Sequence, residues 1–252
     1  MVAFLLCLLA LAGCGSTGNS SSGGGSAPTL TVSAAASLKD AFTNCAQSFK
    51  AAHLRFSFAG SDQLAAQIRQ GAGPNVFASA NTKLPEQLAT EGELSKTQVF
   101  AGNKLVIAVP KDSKITSIAD LEKPGTKLVI GDSTVPVGAY TRTVIGRLPA
   151  ARQKAINANV KSEEPDVSSV VGKLTQGAAD AGFTYVTDVT GTKGQLKAID
   201  MPANLQPEVA YGAGIVKGTP NQKQAQAFID DVISGSCRKV MQSNGFLPPP
   251  TA

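Results

Sequence analysis

The sequence predicts an α/β protein of two lobes, with mixed and mostly parallel sheets, helices on both faces of the sheets and a ligand cleft between the lobes. Short apolar segments alternate with helical patterns along the chain, which is typical of βα units. Two longer apolar segments, residues 105–109 and 209–216, are interpreted as crossings between lobes. Several strands lead directly into helix starts, and open α/β sheets bind ligands at that edge.

The composition is that of a globular protein with a sizeable core. The chain has 252 residues, of which 42% are hydrophobic and 16% charged. Its length allows one large domain or two lobes. The net charge of +5 is carried by scattered Lys and Arg residues, and only 5% of residues are aromatic, so nucleic-acid binding gains little support.

The first lobe is predicted from residues 29–107 and 213–252. One strand leads to Ser37, at the N-cap position of the first helix, and a second strand leads to Ser61 at another helix start. A helix start with free N–H groups and a hydroxyl forms an anion site without side-chain charge, although either serine alone could merely cap its helix. The elements assigned to this lobe are strands at 30–32, 55–58 and 76–78 and helices at 38–49, 64–68, 84–88, 223–233 and 235–244.

The second lobe is predicted from residues 108–212. A tight turn at 131–138 contains Pro136 and Gly138 and leads into a helix from Ala139, which again places N–H groups at a helix start. Asp166 is a plausible N-cap for a later helix. The other predicted elements are strands at 128–130, 181–185 and 196–199 and helices at 116–121, 150–158 and 166–174.

The N-terminal segment resembles an export signal. Residues 1–13 are apolar but too short to span a membrane, and residues 11–14 read Leu-Ala-Gly-Cys, which resembles a bacterial lipobox. The resemblance implies that residues 1–14 are a lipoprotein signal, that Cys14 is lipidated, and that the protein is anchored to the outer side of the cytoplasmic membrane. Residues 15–28 are predicted to form a flexible Ser/Gly tether. No Lys or Arg precedes the apolar run, and the alternative is an uncleaved apolar terminus.

Cysteine usage is consistent with export. With Cys7 in the apolar segment and Cys14 assigned to lipid, Cys45 and Cys237 remain as a pair in the exported body. We expect a disulfide between them; the alternative is two buried free thiols. A protein metal site is not expected, because the single histidine, His53, lies in a polar connector where we expect it to be solvated.

Six segments in order resemble the periplasmic molybdate-binding proteins of ABC uptake systems. They lie at residues 32–38, 58–61, 76–80, 131–140, 181–185 and 244–248. The resemblance implies the type II periplasmic binding protein-like fold and a solute-binding protein that is not an enzyme. It implies capture of molybdate, and of tungstate, and delivery to a membrane permease powered by a cytoplasmic ATPase. No cofactor is expected, and the protein is expected to be a monomer.

The resemblance also assigns the oxyanion site, which uses neutral donors only. Molybdate, tungstate and sulfate are fully ionised at neutral pH, so every oxygen accepts a hydrogen bond. Hydrogen phosphate carries a proton, and leaving it unpaired costs about 1–3 kcal/mol. Molybdenum is bound only as the oxyanion. By position, the donors are the hydroxyls of Ser37, Ser61 and Tyr185 and the backbone N–H groups of Val137 and Val167.

One position departs from the family pattern. Asp62 and Gln63 follow Ser61 where further hydroxyl residues are expected. A carboxylate pointing into the cleft would repel a dianion. We therefore expect Asp62 to face solvent, near the positive end of its helix.

Other functions remain open as alternatives. The first alternative is a protein of the same fold that binds sulfate or another tetrahedral oxyanion. A lipid-anchored hydrolase is less well supported, because the chain has no Gly-x-Ser-x-Gly elbow and no cluster with metal-ligand spacing. A ferric site would need a tyrosine cluster with His or Asp. The chain has only three tyrosines, Tyr140, Tyr185 and Tyr211, so a ferric site gains little support.

Overall fold

The computed structural model describes residues 27–250. The predicted signal with Cys7 and Cys14, and residues 15–26 of the tether, lie outside that range. The strands are β1 (Thr29–Ala35), β2 (His53–Ala59), β3 (Val76–Ser79), β4 (Leu94–Asn103), β5 (Leu105–Pro110), β6 (Leu128–Gly131), β7 (Val160–Glu164), β8 (Ala181–Tyr185), β9 (Leu196–Ile199) and β10 (Val209–Val216). The α-helices are α1 (Lys39–Ser48), α2 (Ser61–Arg69), α3 (Lys83–Thr90), α4 (Pro136–Gly146), α5 (Ala150–Ala158), α6 (Val167–Thr175), α7 (Val186–Gly191), α8 (Gln222–Ser234) and α9 (Ser236–Ser243). Two 3-10 helices span Ala36–Leu38 and Ile118–Glu122.

The first sheet has the strand order β2-β1-β3-β10-β4. β1 runs parallel to β2 and β3, with Ala34 opposite both Phe58 and Ala78. This register brings the carboxyl ends of the three strands to one edge of the sheet. The residues that follow these strands are therefore neighbours in space.

The second sheet has the strand order β7-β6-β8-β5-β9. β6 runs parallel to β7 and β8, whereas β5 is antiparallel to β8 and β9. Leu105 of β5 lies opposite Tyr185, the last residue of β8. The start of β5 and the end of β8 therefore meet at the same edge.

The two sheets confirm the predicted α/β fold of two lobes. All the antiparallel pairings between these ten strands involve β5 or β10, the two segments interpreted as crossings. The sheets are more mixed than alternation of strands and helices predicts, because these two strands run against their neighbours. The predicted lobe boundaries at 107/108 and 212/213 fall inside β5 and β10, each of which pairs within one sheet. We therefore propose that lobe 1 comprises residues 29–103 and 209–250 and lobe 2 comprises residues 105–199.

Three elements have no counterpart among the sequence predictions. They are β4, β7 and α7. β7 has the sequence VKSEE and alternates between partly exposed and exposed positions before its last residue, so it lacks an apolar run. α7 has six residues and follows β8 without an intervening turn. Pairing and packing with distant residues, more than local propensity, form these elements.

Aromatic packing and a disulfide join the C-terminal helices to α1. The Phe42 ring lies edge-on to Phe228 of α8, with centroids 5.3 Å apart. Cys45 of α1 and Cys237 of α9 form the expected disulfide, with Cα atoms 5.0 Å apart, and both residues are fully buried. His53 begins β2 and does not lie in a connector, but it is exposed as expected.

Two features are absent from residues 27–250. This part of the chain has no helix long and apolar enough to cross a membrane. It also has no group of three or more His, Cys, Asp or Glu side chains arranged to hold a metal ion.

Candidate functional site

Lobe 1 contributes two serines at the shared edge of β1, β2 and β3. Ser61 is the first residue of α2, and its Oγ accepts a hydrogen bond from the N–H of Ala80, which follows β3, at 3.2 Å. Ser37 lies inside the 3-10 turn after β1. Neither serine caps its helix: the N-cap of α2 is Gly60, and the expected N-cap role of Ser37 is wrong because α1 begins only at Lys39, after Leu38.

Lobe 2 contributes two helix starts. The first backbone hydrogen bond of α4 runs from the Ala139 N–H to the Val135 carbonyl, so the Val137 N–H has no acceptor within the helix. This helix begins at Pro136, three residues before the predicted start, because proline is well suited to the first position of a helix.

The second helix start of lobe 2 is that of α6. Asp166 is its N-cap, as predicted, and its carboxylate accepts from the Ser169 N–H at 2.7 Å. The first backbone bond of the helix is donated by Val170, to the Asp166 carbonyl, which leaves the Val167 N–H without an acceptor in the helix.

The residues that the family pattern assigns to the oxyanion line one cavity between the lobes. Its cavity volume is about 20 Å³, far below that of pockets for drug-sized ligands. Its lining includes no Lys, Arg or His, and the one acidic residue is Asp166, which caps α6. Of the expected residues, lobe 1 supplies Ser37 and Ser61, and lobe 2 supplies Val137, Val167 and Tyr185.

The Tyr185 hydroxyl is the most informative atom of this cavity. Tyr185 is 1% exposed, and its hydroxyl has no hydrogen-bond partner within residues 27–250. Burial, reinforced by the neighbouring Tyr211 and Tyr140, raises the pKa of Tyr185 well above its ordinary value. The group is therefore a neutral donor that lacks an acceptor, and a buried polar group of this kind needs an explanation.

Asp188 holds the backbone at Tyr185. Its carboxylate accepts a hydrogen bond from the Tyr185 N–H at 2.9 Å. The pKa of Asp188 is raised to about 7, mainly by burial and also by the nearby carboxylates of Asp40 and Asp166, although the hydrogen bond from Tyr185 lowers it. The contact positions the end of β8 and the start of α7.

A buried polar network behind Ser37 was not anticipated from the sequence. The Oγ of Ser37 lies 2.9 Å from the hydroxyl of Tyr211, and the Nδ2 of Asn103 donates to the same hydroxyl at 3.2 Å. The sequence places Tyr211 in an apolar crossing strand and does not predict its contact with Ser37. Ser37 and Tyr211 are 174 positions apart, and no local pattern connects them.

Asp62 differs from the expectation that it faces solvent. It is partly buried, and its Oδ2 accepts from the Thr134 hydroxyl of lobe 2 at 3.1 Å. Its Oδ1 is buried and has no partner within the described range. Asp62 is not among the residues that line the cavity. The side chain turns toward the other lobe because the 131–138 turn approaches the start of α2, and so it bridges the lobes.

The family model for bacterial extracellular solute-binding proteins matches residues 30–247. The chain is a bacterial extracellular solute-binding protein. Such a protein is an extracytoplasmic binding component and not an enzyme, in agreement with the sequence prediction.

Similar proteins cover almost the whole of this solute-binding protein. The molybdate-binding protein ModA of Mycobacterium tuberculosis H37Rv is 35% identical over 249 residues, which cover 95% of this chain and 93% of the relative. The putative ABC transporter substrate-binding lipoprotein YvgL of Bacillus subtilis is 32% identical and covers 97% of this chain and 96% of its own.

Solved structures confirm the predicted fold of this solute-binding protein. The periplasmic molybdate-binding protein of Azotobacter vinelandii has a TM-score of 0.77 at 22% identity, covering 88% of this chain and 100% of that chain. The sulfate-binding protein SubI of Mycobacterium tuberculosis also has a TM-score of 0.77, at 15% identity, covering 88% of this chain and 87% of that chain.

Proposed function

We propose that this solute-binding protein captures molybdate, and tungstate, between its lobes and delivers it to an ABC permease driven by a cytoplasmic ATPase. The observation that carries the proposal is the cavity itself, in which neutral donors from both lobes converge without a basic side chain. The donors are the hydroxyls of Ser37, Ser61 and Tyr185 and the N–H groups of Val137 and Val167. An oxyanion oxygen supplies the acceptor that the Tyr185 hydroxyl lacks.

The chemistry of the donors explains why a fully ionised oxyanion is favoured. Each of its oxygens accepts hydrogen bonds, and N–H and O–H groups at helix starts satisfy them without a counter-charge. The proton of hydrogen phosphate would need an acceptor, and the one carboxylate in the lining, that of Asp166, already accepts from the Ser169 N–H. Named relatives that bind molybdate support the choice of ligand.

Sulfate is the second candidate. It has the same charge and geometry as molybdate, and the sulfate-binding protein SubI has the same fold. Donor chemistry alone does not separate the two anions. Affinity measurements with both anions decide between them.

The decisive experiment is calorimetric titration of the chain from Ala27 onward with molybdate, tungstate, sulfate and phosphate. We expect tight binding of molybdate and tungstate, weaker binding of sulfate and still weaker binding of phosphate. A preference for sulfate would replace the proposed ligand. Failure to bind any of these oxyanions would refute the site.

Tyr185→Phe is expected to weaken molybdate binding by about 10- to 100-fold, because a hydrogen bond to a charged group contributes about 1.5–3 kcal/mol. The same change removes a buried hydroxyl without a partner, so the ligand-free protein should melt at the same or a higher temperature. Calorimetry and thermal unfolding measure the two effects.

The matched control for this variant is Tyr140→Phe. The Tyr140 ring lies 6.5 Å from that of Tyr185, between centroids, but Tyr140 does not line the cavity. Tyr140→Phe should therefore bind molybdate with normal affinity. Equal affinities for the wild-type protein and Tyr185→Phe would exclude the Tyr185 hydroxyl from the site.

Anchoring through a lipid on Cys14 is part of the same proposal, and the similarity to the substrate-binding lipoprotein YvgL supports it. A Cys14→Ser variant is expected to move from the membrane fraction to the soluble fraction, measured by fractionation and immunoblotting. Cys7→Ser is the matched control and should stay with the membrane. A membrane-bound Cys14→Ser protein would contradict the anchor.

A further inference from the structure

We infer that Asn103 and Tyr211 are positioning residues that set the direction of the Ser37 hydrogen bond, so that Ser37 donates its proton to the ligand. Asn103 donates to Tyr211, and Tyr211 donates to Ser37. The inference rests on the proposed function, because it assigns part of the selectivity of the same oxyanion site to residues that do not line the cavity.

The chain of hydrogen bonds starts at an amide whose orientation is determined. The Oδ1 of Asn103 accepts from the backbone N–H of Lys104 at 2.8 Å, and a backbone N–H can only donate. The amino group, Nδ2, therefore points toward the Tyr211 hydroxyl at 3.2 Å and the Thr187 hydroxyl at 2.9 Å. Asn103 is 5% exposed, so the chain begins with a buried group that can only donate.

The contacts of Tyr211 determine the direction of the next hydrogen bond. Its side chain is fully buried, and its hydroxyl contacts two groups, Asn103 Nδ2 and Ser37 Oγ. Since the amide already supplies a proton, the Ser37 oxygen at 2.9 Å is the acceptor left for the phenol proton within the described structure. The opposite direction would leave that proton buried without an acceptor. Burial raises the pKa of Tyr211 well above its ordinary value, so the proton is retained.

Ser37 is the last member of this series of hydrogen bonds and the one that lines the cavity. Its oxygen accepts a hydrogen bond from the Tyr211 hydroxyl, so the O–H of Ser37 remains to donate to the ligand. If the hydrogen bonds ran in the opposite direction, Ser37 would donate to Tyr211 and would present only oxygen lone pairs to the cavity. A fully ionised oxygen would then meet an acceptor, whereas a protonated oxygen would be accommodated.

The location of Asn103 connects these hydrogen bonds to both lobes. Asn103 is the last residue of β4, where the polypeptide leaves lobe 1, and Thr187 belongs to α7 of lobe 2. The amide is thus held by its own backbone neighbour and by a residue of the opposite lobe. Selectivity at Ser37 depends on contacts made where the lobes join.

Asn103→Asp tests the direction, because the carboxylate replaces the donor by an acceptor of the same shape. Binding of molybdate and of hydrogen phosphate is measured in alkaline buffer, where both are dianions and the added charge affects both alike. We expect the preference for molybdate over hydrogen phosphate to fall by about tenfold. Asn157→Asp, on the exposed surface of α5, adds the same charge and should leave the preference unchanged.

The outcomes separate this inference from the proposed function. Equal weakening of both anions by Asn103→Asp, or no change, would overturn the directional chain while leaving the oxyanion site intact. If the wild-type protein bound neither anion, the proposed function itself would fail. If Asn103→Asp did not fold, Tyr211→Phe would be measured instead. This variant removes the donor to Ser37, whose oxygen can then accept from hydrogen phosphate, so the preference for molybdate over hydrogen phosphate should again fall. An unchanged preference would overturn the inference.

Discussion

Gly60→Ala is expected to weaken oxyanion binding by about 10- to 100-fold while leaving the protein folded. A methyl group at this position would lie 2.5 Å from the carbonyl oxygen of Pro165 and 3.3 Å from the side chain of Val135, both in lobe 2. Such overpacking costs about 1–3 kcal/mol. The contacts with Pro165 and Val135 exist only when the lobes are closed, whereas the third neighbour, Asp62 Oδ1 at 2.8 Å in lobe 1, is the end of a side chain that can rotate away.

The backbone of Gly60 explains why folding should survive. Its φ of −57° and ψ of 136° are ordinary for any residue, so alanine adds no backbone strain. The nearby Asp62–Thr134 hydrogen bond also joins the lobes and would be lost together with closure. The affected equilibrium is therefore mainly closure around the ligand, because the two contacts with lobe 2 are lost when the lobes open.

Calorimetry measures the affinity, and small-angle scattering with and without molybdate measures closure. Gly73→Ala is the matched control: an added methyl group there has no neighbour within 4 Å, and its φ is not positive. The control should bind and close like the wild-type protein. Normal affinity of Gly60→Ala would show that the approach of Pro165 to Gly60 does not limit binding.

Removal of the disulfide, by Cys45→Ala with Cys237→Ala, is expected to lower the free energy of unfolding by about 3–5 kcal/mol. The two residues are 192 positions apart, and a crosslink across so long a loop restricts the unfolded chain strongly. For a chain of this size, the melting temperature should fall by about 10 °C or more.

Wild-type protein in reductant provides the control for this variant. It should melt near the temperature of the double variant, and the double variant should not respond to reductant. Equal melting temperatures for the oxidised wild-type protein and the double variant would contradict a stabilising disulfide.

A functional consequence follows from the position of α9. The segment after this helix pairs with the strand that ends at Asn103, because Leu247 and Gly102 exchange backbone hydrogen bonds of 2.9 Å. The disulfide fixes the start of α9 against α1. It thereby helps to hold the C-terminal segment beside the residues that support Ser37.

Prediction from the sequence succeeded where structure is determined locally. Asp166 was recognised as an N-cap because a carboxylate before an apolar helical pattern satisfies a free N–H group, here that of Ser169. Cys45 and Cys237 were paired by compartment and elimination. The set of cavity residues came from resemblance to a family, since Ser37 or Tyr185 alone has no distinguishing local pattern.

Prediction failed where pairing over long distances decides the outcome. The charged strand β7 forms because β6 offers it a parallel partner, and its own residues do not predict a strand. Ser37 was expected to cap α1, but its hydroxyl bonds Tyr211 instead. Local preferences are weak, and tertiary contacts overrode them at both places.

By itself, the sequence determined the two-lobed α/β class, most helices and strands, and the donor types available at helix starts, because periodicity and capping act over a few neighbouring residues. Only the tertiary structure decided which groups face one another. Ser37 meets Tyr211 across 174 positions, and Asp62 meets Thr134 across 72. Such contacts depend on sheet register and on how the two lobes meet, and these are properties of the whole packed chain and of no single segment.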